Sequence, residues 1–350
     1  MSLEHDYYRV QVYVNDGTGL FSYSASKSFQ RTTDHRSGTL SDLDGDGDLD
    51  LVIGGDGSSS GIFLYSGDGT GGFTETWSYT WPFAQIDAVN VGDIDANGSL
   101  DLVSIGYISD DASIQVFLDD GTGTFLRTAI SLGADYSQAK DAALVDLDND
   151  LDLDLAVAFE SFFDVSGVEV FLNSNGALTG TGQSLVASYP YGLDAGDVDG
   201  DGDVDLVVGN QASYPNQVLF NNGSGTFTES GQSLGGEATN DVVFGDIDLD
   251  GDLDLVAINE GHGGRGYVVY DNDGSGSFAE REFGSNNFKH NGNLVDVDGD
   301  GDLDLVTGDY ATGASNNHSP EQVLLNSRGG IAGGDEECAL GTHNCDGNAT

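Results

Sequence analysis

Carboxylates recur along this chain at a spacing that suits a hard cation. Six nonapeptides carry oxygen-bearing side chains at positions 1, 3, 5, 7 and 9. They are Asp42, Asp44, Asp46, Asp48 and Asp50; Asp93, Asp95, Asn97, Ser99 and Asp101; and Asp146, Asp148, Asp150, Asp152 and Asp154. Then follow Asp197, Asp199, Asp201, Asp203 and Asp205; Asp246, Asp248, Asp250, Asp252 and Asp254; and Asp296, Asp298, Asp300, Asp302 and Asp304. Such ligand sets favour Ca²⁺ or Mg²⁺ over zinc or copper. Four carboxylates with a backbone carbonyl at position 7 suit the larger and more flexible Ca²⁺ shell, which predicts up to six Ca²⁺ sites.

Five of the six loops place glycine at position 6 (Gly47, Gly98, Gly202, Gly251 and Gly301), where a sharp turn is needed. An EF-hand would need flanking helices and a glutamate at position 12, which here is Ile53 or Ser104 in the first two loops. Without a cation, five aspartates in nine residues repel one another, so solvated acidic turns are the poorer reading. The copies are unequal. The second loop carries Asn97 and Ser99 in place of aspartates, and the third has Leu151 where the others have glycine. These two are predicted to bind metal most weakly.

The loops recur with first aspartates 51, 53, 51, 49 and 50 residues apart. A period of this size marks a repeated supersecondary unit. An apolar run precedes each loop, as in Ala88-Val-Asn-Val-Gly-Asp93, and a short apolar strand such as Leu206-Val-Val208 follows it. Next come a third strand (Val168-Glu-Val-Phe-Leu172), a turn such as Asn222-Gly-Ser-Gly, and a phenylalanine opening a fourth strand (Phe73, Phe125, Phe227, Phe278). Asn-Gly and Asp-Gly between apolar runs signal hairpins. The expected fold is all-β: a β-propeller of four-stranded antiparallel blades, with the Asp-rich loop between strands 1 and 2 of each repeat. An extra hairpin at residues 9–21 makes seven blades the first choice and six the alternative.

Composition narrows the partners. The formal net charge is −50, from 60 acidic and 10 basic residues, and the six loops hold 28 of those acids. Six divalent ions would reduce the charge only to about −38. Nucleic acid and anionic lipid are therefore repelled. No apolar stretch is long enough for a membrane helix, so direct membrane insertion is not expected. Both cysteines, Cys338 and Cys345, lie near the end of the chain, so the body does not depend on disulfides.

The pattern Asp-x-Asp-x-Asp-Gly-x-x-Asp, then Leu-Val-x-Gly, then Val-x-Leu-x-Asn-x-Gly-x-Gly-x-Phe, resembles the FG-GAP/VCBS repeats of integrin-α-like propellers over residues 8–330. The resemblance implies calcium in each loop between strands 1 and 2. It also implies an extracellular or cell-surface setting, often in adhesion, recognition or polysaccharide handling. Residues 1–334 are assigned to the propeller. Residues 335–350, Asp335-Glu-Glu-Cys338 onward to Cys345, resemble the start of a calcium-binding EGF-like module, which implies a larger secreted parent protein.

In a four-stranded meander the calcium loops and the Gly-rich hairpin turns share one end. The opposite end carries more varied sequence: Trp81, Phe83, Tyr136, Tyr191, His262, Arg265 and His290 are the candidate ligand contacts. Aromatic rings beside Asn and Asp suit a protein or carbohydrate ligand. The alternative is that such rings pack between blades. Catalysis is the minor reading: no His-Glu-x-x-His occurs, and Gly57-Ser-Ser-Ser-Gly61 lacks the strand–turn–helix setting of a nucleophile elbow. A binding or adhesion module is expected; a polysaccharide lyase or hydrolase and a non-binding spacer are the alternatives.

Overall fold

The computed structural model describes residues 9–339 apart from 11, 18–20, 25, 31–33, 58–59, 109–110, 134–137, 162–165, 184, 261–264, 285–290, 309–321 and 327–337. The protein is all-β, with no helix among the described residues. Two compact bodies are formed, Met1–Val12 with Ser24–Val186 and Tyr13–Tyr23 with Ala187–Thr350. Loops one to three belong to the first body and loops four to six to the second.

Each loop joins the first two strands of a four-stranded antiparallel blade of the β-propeller type. In the fifth repeat the strands are Thr239–Gly245, Asp254–Asn259, Tyr267–Asn272 and Phe278–Gly284, paired in chain order. The fourth repeat follows the same order through Pro190–Gly196, Asp205–Asn210, Gln217–Asn221 and Phe227–Glu229. Four fourth strands begin at the expected phenylalanines, Phe73, Phe125, Phe227 and Phe278. In the first body, the second strand of the first repeat also pairs with the first strand of the next, Asp56 with Gln85 and Gly57 with Ala84.

The second strands are apolar because they are covered on both sides: every residue of Asp205–Asn210 and of Asp254–Asn259 is buried. Hydrophobic clusters lie between consecutive blades. Val207 and Val218 meet Leu255, Ala257 and Val268 in the second body, and Val103 and Val116 meet Leu155 and Val157 in the first. This accounts for the Gly-Asp that opens several loops. A Cβ at Gly92 would fall 2.6 Å from Leu153 Cδ1, and one at Gly196 would fall 2.6 Å from Leu253 Cδ1. The leucine at loop position 8 thus packs onto the preceding blade where only glycine leaves room.

The N-terminal hairpin expected over residues 9–21 is present as two pairings. Arg9–Val10 pairs with Phe29–Gln30 in the first body, and Tyr13–Asn15 pairs with Phe21–Tyr23 in the second. In the sixth repeat the fourth strand is Cys338–Ala339, paired with Gln322–Leu324. Those two residues fall within the stretch 335–350 whose sequence resembles the start of an EGF-like module. The rest of 335–350 lies outside the described residues.

Candidate metal centres and the loops at the opposite end

All six loops are built on one hydrogen-bond skeleton. The position 9 aspartate is buried, with Asp50 the most accessible at 2%. Its Oδ2 accepts from the N–H of position 2 at 2.8–3.2 Å, in the pairs Leu43–Asp50, Ile94–Asp101, Leu147–Asp154, Val198–Asp205, Ile247–Asp254 and Val297–Asp304. Its Oδ1 accepts from the N–H that ends the third strand at 2.7–2.9 Å: Gly67, Asp119, Asn173, Asn221, Asn272 or Asn326. One carboxylate therefore staples the loop to the hairpin of its own blade.

Position 1 closes the loop on itself. Its Oδ2 accepts from the N–H of position 6 at 2.9–3.2 Å in every copy, from Gly47 on Asp42 to Gly301 on Asp296. Successive side-chain turns follow, as in Asp201 N–H to Asp199 Oδ1 at 3.2 Å and Asp203 N–H to Asp201 Oδ1 at 2.9 Å. Such a path needs left-handed backbone at two positions. Position 6 has φ between +77° at Leu151 and +100° at Gly251. Position 4 has positive φ as well: Gly45, Ala96, Asn149, Gly200, Leu249 and Gly299. Only the position 6 requirement was read from the sequence, because position 4 is glycine in half the copies.

The skeleton brings carboxylates together. One oxygen from each member of Asp42–Asp44–Asp50, Asp93–Asp95–Asp101, Asp146–Asp148–Asp154, Asp197–Asp199–Asp205 and Asp246–Asp248–Asp250 lies within 4.8 Å of the others. The sixth loop repeats the hydrogen bonds of positions 1 and 9. Burial, and then the neighbouring carboxylates, raise the pKa of Asp44, Asp148 and Asp199 above the ordinary aspartate value. Burial pushes Asp154, Asp205 and Asp254 up to about 6, against the backbone N–H bonds that hold them charged. Asp146 Oδ1, Asp148 Oδ1 and Asp246 Oδ1 are buried and accept no hydrogen bond. Buried acceptors normally have a partner. Crowded carboxylates with orphaned oxygens fit a divalent cation held by positions 1, 3 and 9, with position 5 joining at Asp250.

Position 7 turns elsewhere. Asp152 Oδ2 accepts from Asn175 N–H at 3.1 Å, and a Cβ on Gly69, Gly223 or Gly274 would fall 2.3–2.6 Å from a carboxylate oxygen of Asp48, Asp203 or Asp252. These side chains lie against the turns between strands 3 and 4, which confirms that the two sets of turns share an end. In the second loop Asn97 Nδ2 donates to Asp119 O at 2.7 Å, so its amide is spent on the same hairpin.

A further contact escaped the sequence reading. The asparagine ending a third strand donates to the position 2 carbonyl of the preceding blade: Asn173 Nδ2 to Ile94 O at 2.7 Å, Asn272 Nδ2 to Val198 O at 2.7 Å and Asn326 Nδ2 to Ile247 O at 2.8 Å. Asn15, ending the strand Tyr13–Asn15, does the same to Val297 O at 2.6 Å. The recurring Val-x-Leu-x-Asn was the signal. The second, fourth, fifth and sixth loops are thereby tied to two hairpins, their own through position 9 and a neighbour's through position 2.

At the other end the candidates separate. Trp81, expected at the surface, is 8% exposed. Trp77, Tyr79 and Trp81 alternate along the fourth strand Phe73–Trp81, so they share one face and meet Phe117 of the next blade at 5.4, 5.4 and 6.1 Å between ring centroids. The period of two in Trp-Ser-Tyr-Thr-Trp carried that information. Phe83 is 78% exposed with φ +57°. Tyr191 is half-buried. The Arg265 guanidinium is engaged by Glu280 at 2.7 and 3.0 Å and faces Glu237 at 3.5 Å. Tyr136, His262 and His290 lie outside the described residues.

Antiparallel four-stranded blades, each with a carboxylate-lined loop between its first two strands, define an all-β repeat protein with one candidate metal centre per repeat. The FG-GAP-like repeat matches residues 2–53, 42–104, 93–157, 197–257 and 246–307, and the chain belongs to that family. No curated protein sequence matches it. Among solved structures it is similar to a functionally unknown protein from Desulfotomaculum acetoxidans, with 12% identity, a TM-score of 0.63, and coverage of 92% of this chain and 90% of that one. It is also similar to rhamnogalacturonan lyase YesW (16% identity, TM-score 0.51, 87% of this chain and 59% of the lyase). A third likeness is to BBS1N, solved in complex with ARL6DN (12% identity, TM-score 0.54, 85% and 84%). One is an enzyme and one a protein-binding partner, so these likenesses establish the fold and leave the activity open.

Proposed function

We propose that the chain is a calcium-stabilised, non-catalytic binding module of a larger extracellular or cell-surface protein, with up to six Ca²⁺ ions set in the acidic loops. Its ligand, a protein or a glycan, docks on the loops at the opposite end of the blades. The observation that carries this reading is the division of labour between the two ends. At one end position 9 wires every loop into its own hairpin, and position 2 wires four of the six into a second, which suits a structural ion. At the other, Phe83, Tyr189 and Tyr214 stand 78%, 49% and 42% exposed, and Phe83 and Tyr189 are held at φ +57°. Exposed aromatics on strained backbone are a mark of recognition surfaces. Extracellular calcium, at millimolar level, is enough to fill even weak sites of this kind.

The test is a mixed array of immobilised proteins and glycans, probed in calcium and then assayed for released product. Retention of an unaltered ligand is the expected result. Release of product from a glycan would replace the binding module with a polysaccharide-active enzyme. Retention on no surface would leave a spacer.

A further inference from the structure

Two tyrosines of the fourth blade form an exposed pair that the scaffold holds at some cost. Tyr189 lies in the connection between Leu185–Val186 and Pro190–Gly196, and Tyr214 in the connection between Asp205–Asn210 and Gln217–Asn221. Both connections are at the end away from the acidic loops. The ring centroids are 5.8 Å apart with 12° between the planes, a parallel stack. Tyrosine rings ordinarily bury most of their apolar area. Here Tyr189 is 49% and Tyr214 42% exposed.

The backbone beneath them is strained and well fixed. Tyr189, Ala212 and Ser213 have φ of +57°, +56° and +64°, in the left-handed region that costs an L-residue about 1–2 kcal/mol each. Gln211 N–H donates to Tyr189 O at 2.9 Å, and Tyr214 N–H donates to Gln211 O at 3.2 Å, so one residue ties the two connections together. Under them Asn210, 1% exposed, donates its backbone N–H to Asn216 Oδ1 at 2.9 Å and its side-chain amide to Pro215 O at 2.7 Å. Strain and buried amides hold two rings out in water. Packing alone would have drawn them in.

We infer that the Tyr189–Tyr214 stack is a binding platform for a neutral pyranose of a glycan. This deepens the reading of the opposite end as the binding surface, and rests on it. Stacked, parallel rings present the flat apolar face that the C–H face of a sugar covers. The two phenol groups and the exposed Ser213 supply hydrogen bonds at the rim. The scale fits one or two sugar rings: half-exposed tyrosines offer roughly 100 Å² each, whereas a protein partner ordinarily covers about 800 Å² on each side. The charge of −50 selects against uronic or sulfated sugars.

The test is an array of neutral oligosaccharides of glucose, galactose, mannose, xylose and N-acetylglucosamine, with protein spots alongside, probed in calcium. Wild type is expected to retain at least one neutral glycan. Tyr214→Ala, and Tyr189→Asn, which accepts the left-handed backbone, should each lose tenfold or more. Tyr214→Phe, which keeps the ring, should stay within about threefold, and all variants should melt with wild type in calcium. A neutral glycan held equally by wild type and Tyr214→Ala overturns the platform while the opposite-end reading stands. Retention on protein spots alone overturns the sugar assignment and keeps the binding module. Retention on no spot overturns both.

Discussion

The third and fourth acidic loops follow the same path with different residues at its hardest point. Leu151 N–H reaches Asp146 Oδ2 at 2.9 Å, and Gly202 N–H reaches Asp197 Oδ2 at 3.0 Å. The φ angles are +77° for the leucine and +94° for the glycine. The third loop also has Asn149 at position 4 where the fourth has Gly200, both left-handed. Leu151 is 89% exposed and gains nothing from burial. The comparison shows that the carboxylates, not the glycines, dictate the path: Asp146 and Asp154 hold the loop closed even where the side chain resists it. Glycine lowers the cost of a geometry that the aspartates impose.

The largest way to break the equivalence is to remove the staple at position 9. Asp205→Ala would strand the buried N–H groups of Val198 and Asn221 and take away a cluster carboxylate. The expected loss is about 3 kcal/mol, read by urea unfolding in calcium. Asp154→Ala should cost the same within error, since its two bonds are 2.8 and 2.7 Å long. A loss below about 1 kcal/mol in either would mean that the loops are not tied to the hairpins as described.

A smaller effect sharpens the contrast at position 6. Leu151→Gly should stabilise the protein by about 1 kcal/mol, and Gly202→Leu should destabilise it by a similar amount. No atom lies within 4 Å of a Cβ built on Gly202, so the second substitution tests backbone strain without a clash. Opposite shifts in thermal melting check the pair; equal shifts of one sign would remove strain as the difference between the loops.

The smallest effect is a pH dependence shared by both loops. Asp154 and Asp205, with Asp254, are raised from 3.8 to about 6 by burial. In chelator their protonated forms suit the fold better, so their contribution is fully present below about pH 4 and is lost as pH rises through 6. The chelated protein should therefore melt at a higher temperature at pH 5 than at pH 7. In calcium the slope reverses, because protons compete for the same oxygens, and the calcium-induced rise in melting temperature should shrink as pH falls through about 6. Parallel slopes with and without calcium would contradict this.

Much of the fold was legible because it rests on local signals. The 49–53-residue period, the turn residues and the phenylalanines at Phe73, Phe125, Phe227 and Phe278 fix blade length and strand order. The acidic clusters were legible by spacing alone. What was not legible depends on contacts between repeats. The sequence shows five polar positions in each loop, but not that Asp205 is buried between two N–H groups while Asp203 turns to the hairpin. Asn272 reads as a turn residue until Val198 O is found beside its amide. Trp81 reads as a loop aromatic unless the alternation from Trp77 is followed into the strand, where Phe117 of the next blade covers it.

Thermal unfolding with excess Ca²⁺, with excess Mg²⁺ and with chelator tests the central claim most directly. Each ion bound at 100 times its dissociation constant adds about 2.7 kcal/mol, so several filled loops should raise the melting temperature by a large margin in Ca²⁺ and by much less in Mg²⁺. The same melting temperature in all three buffers would contradict the account, because the carboxylate clusters would then hold the fold together without an ion.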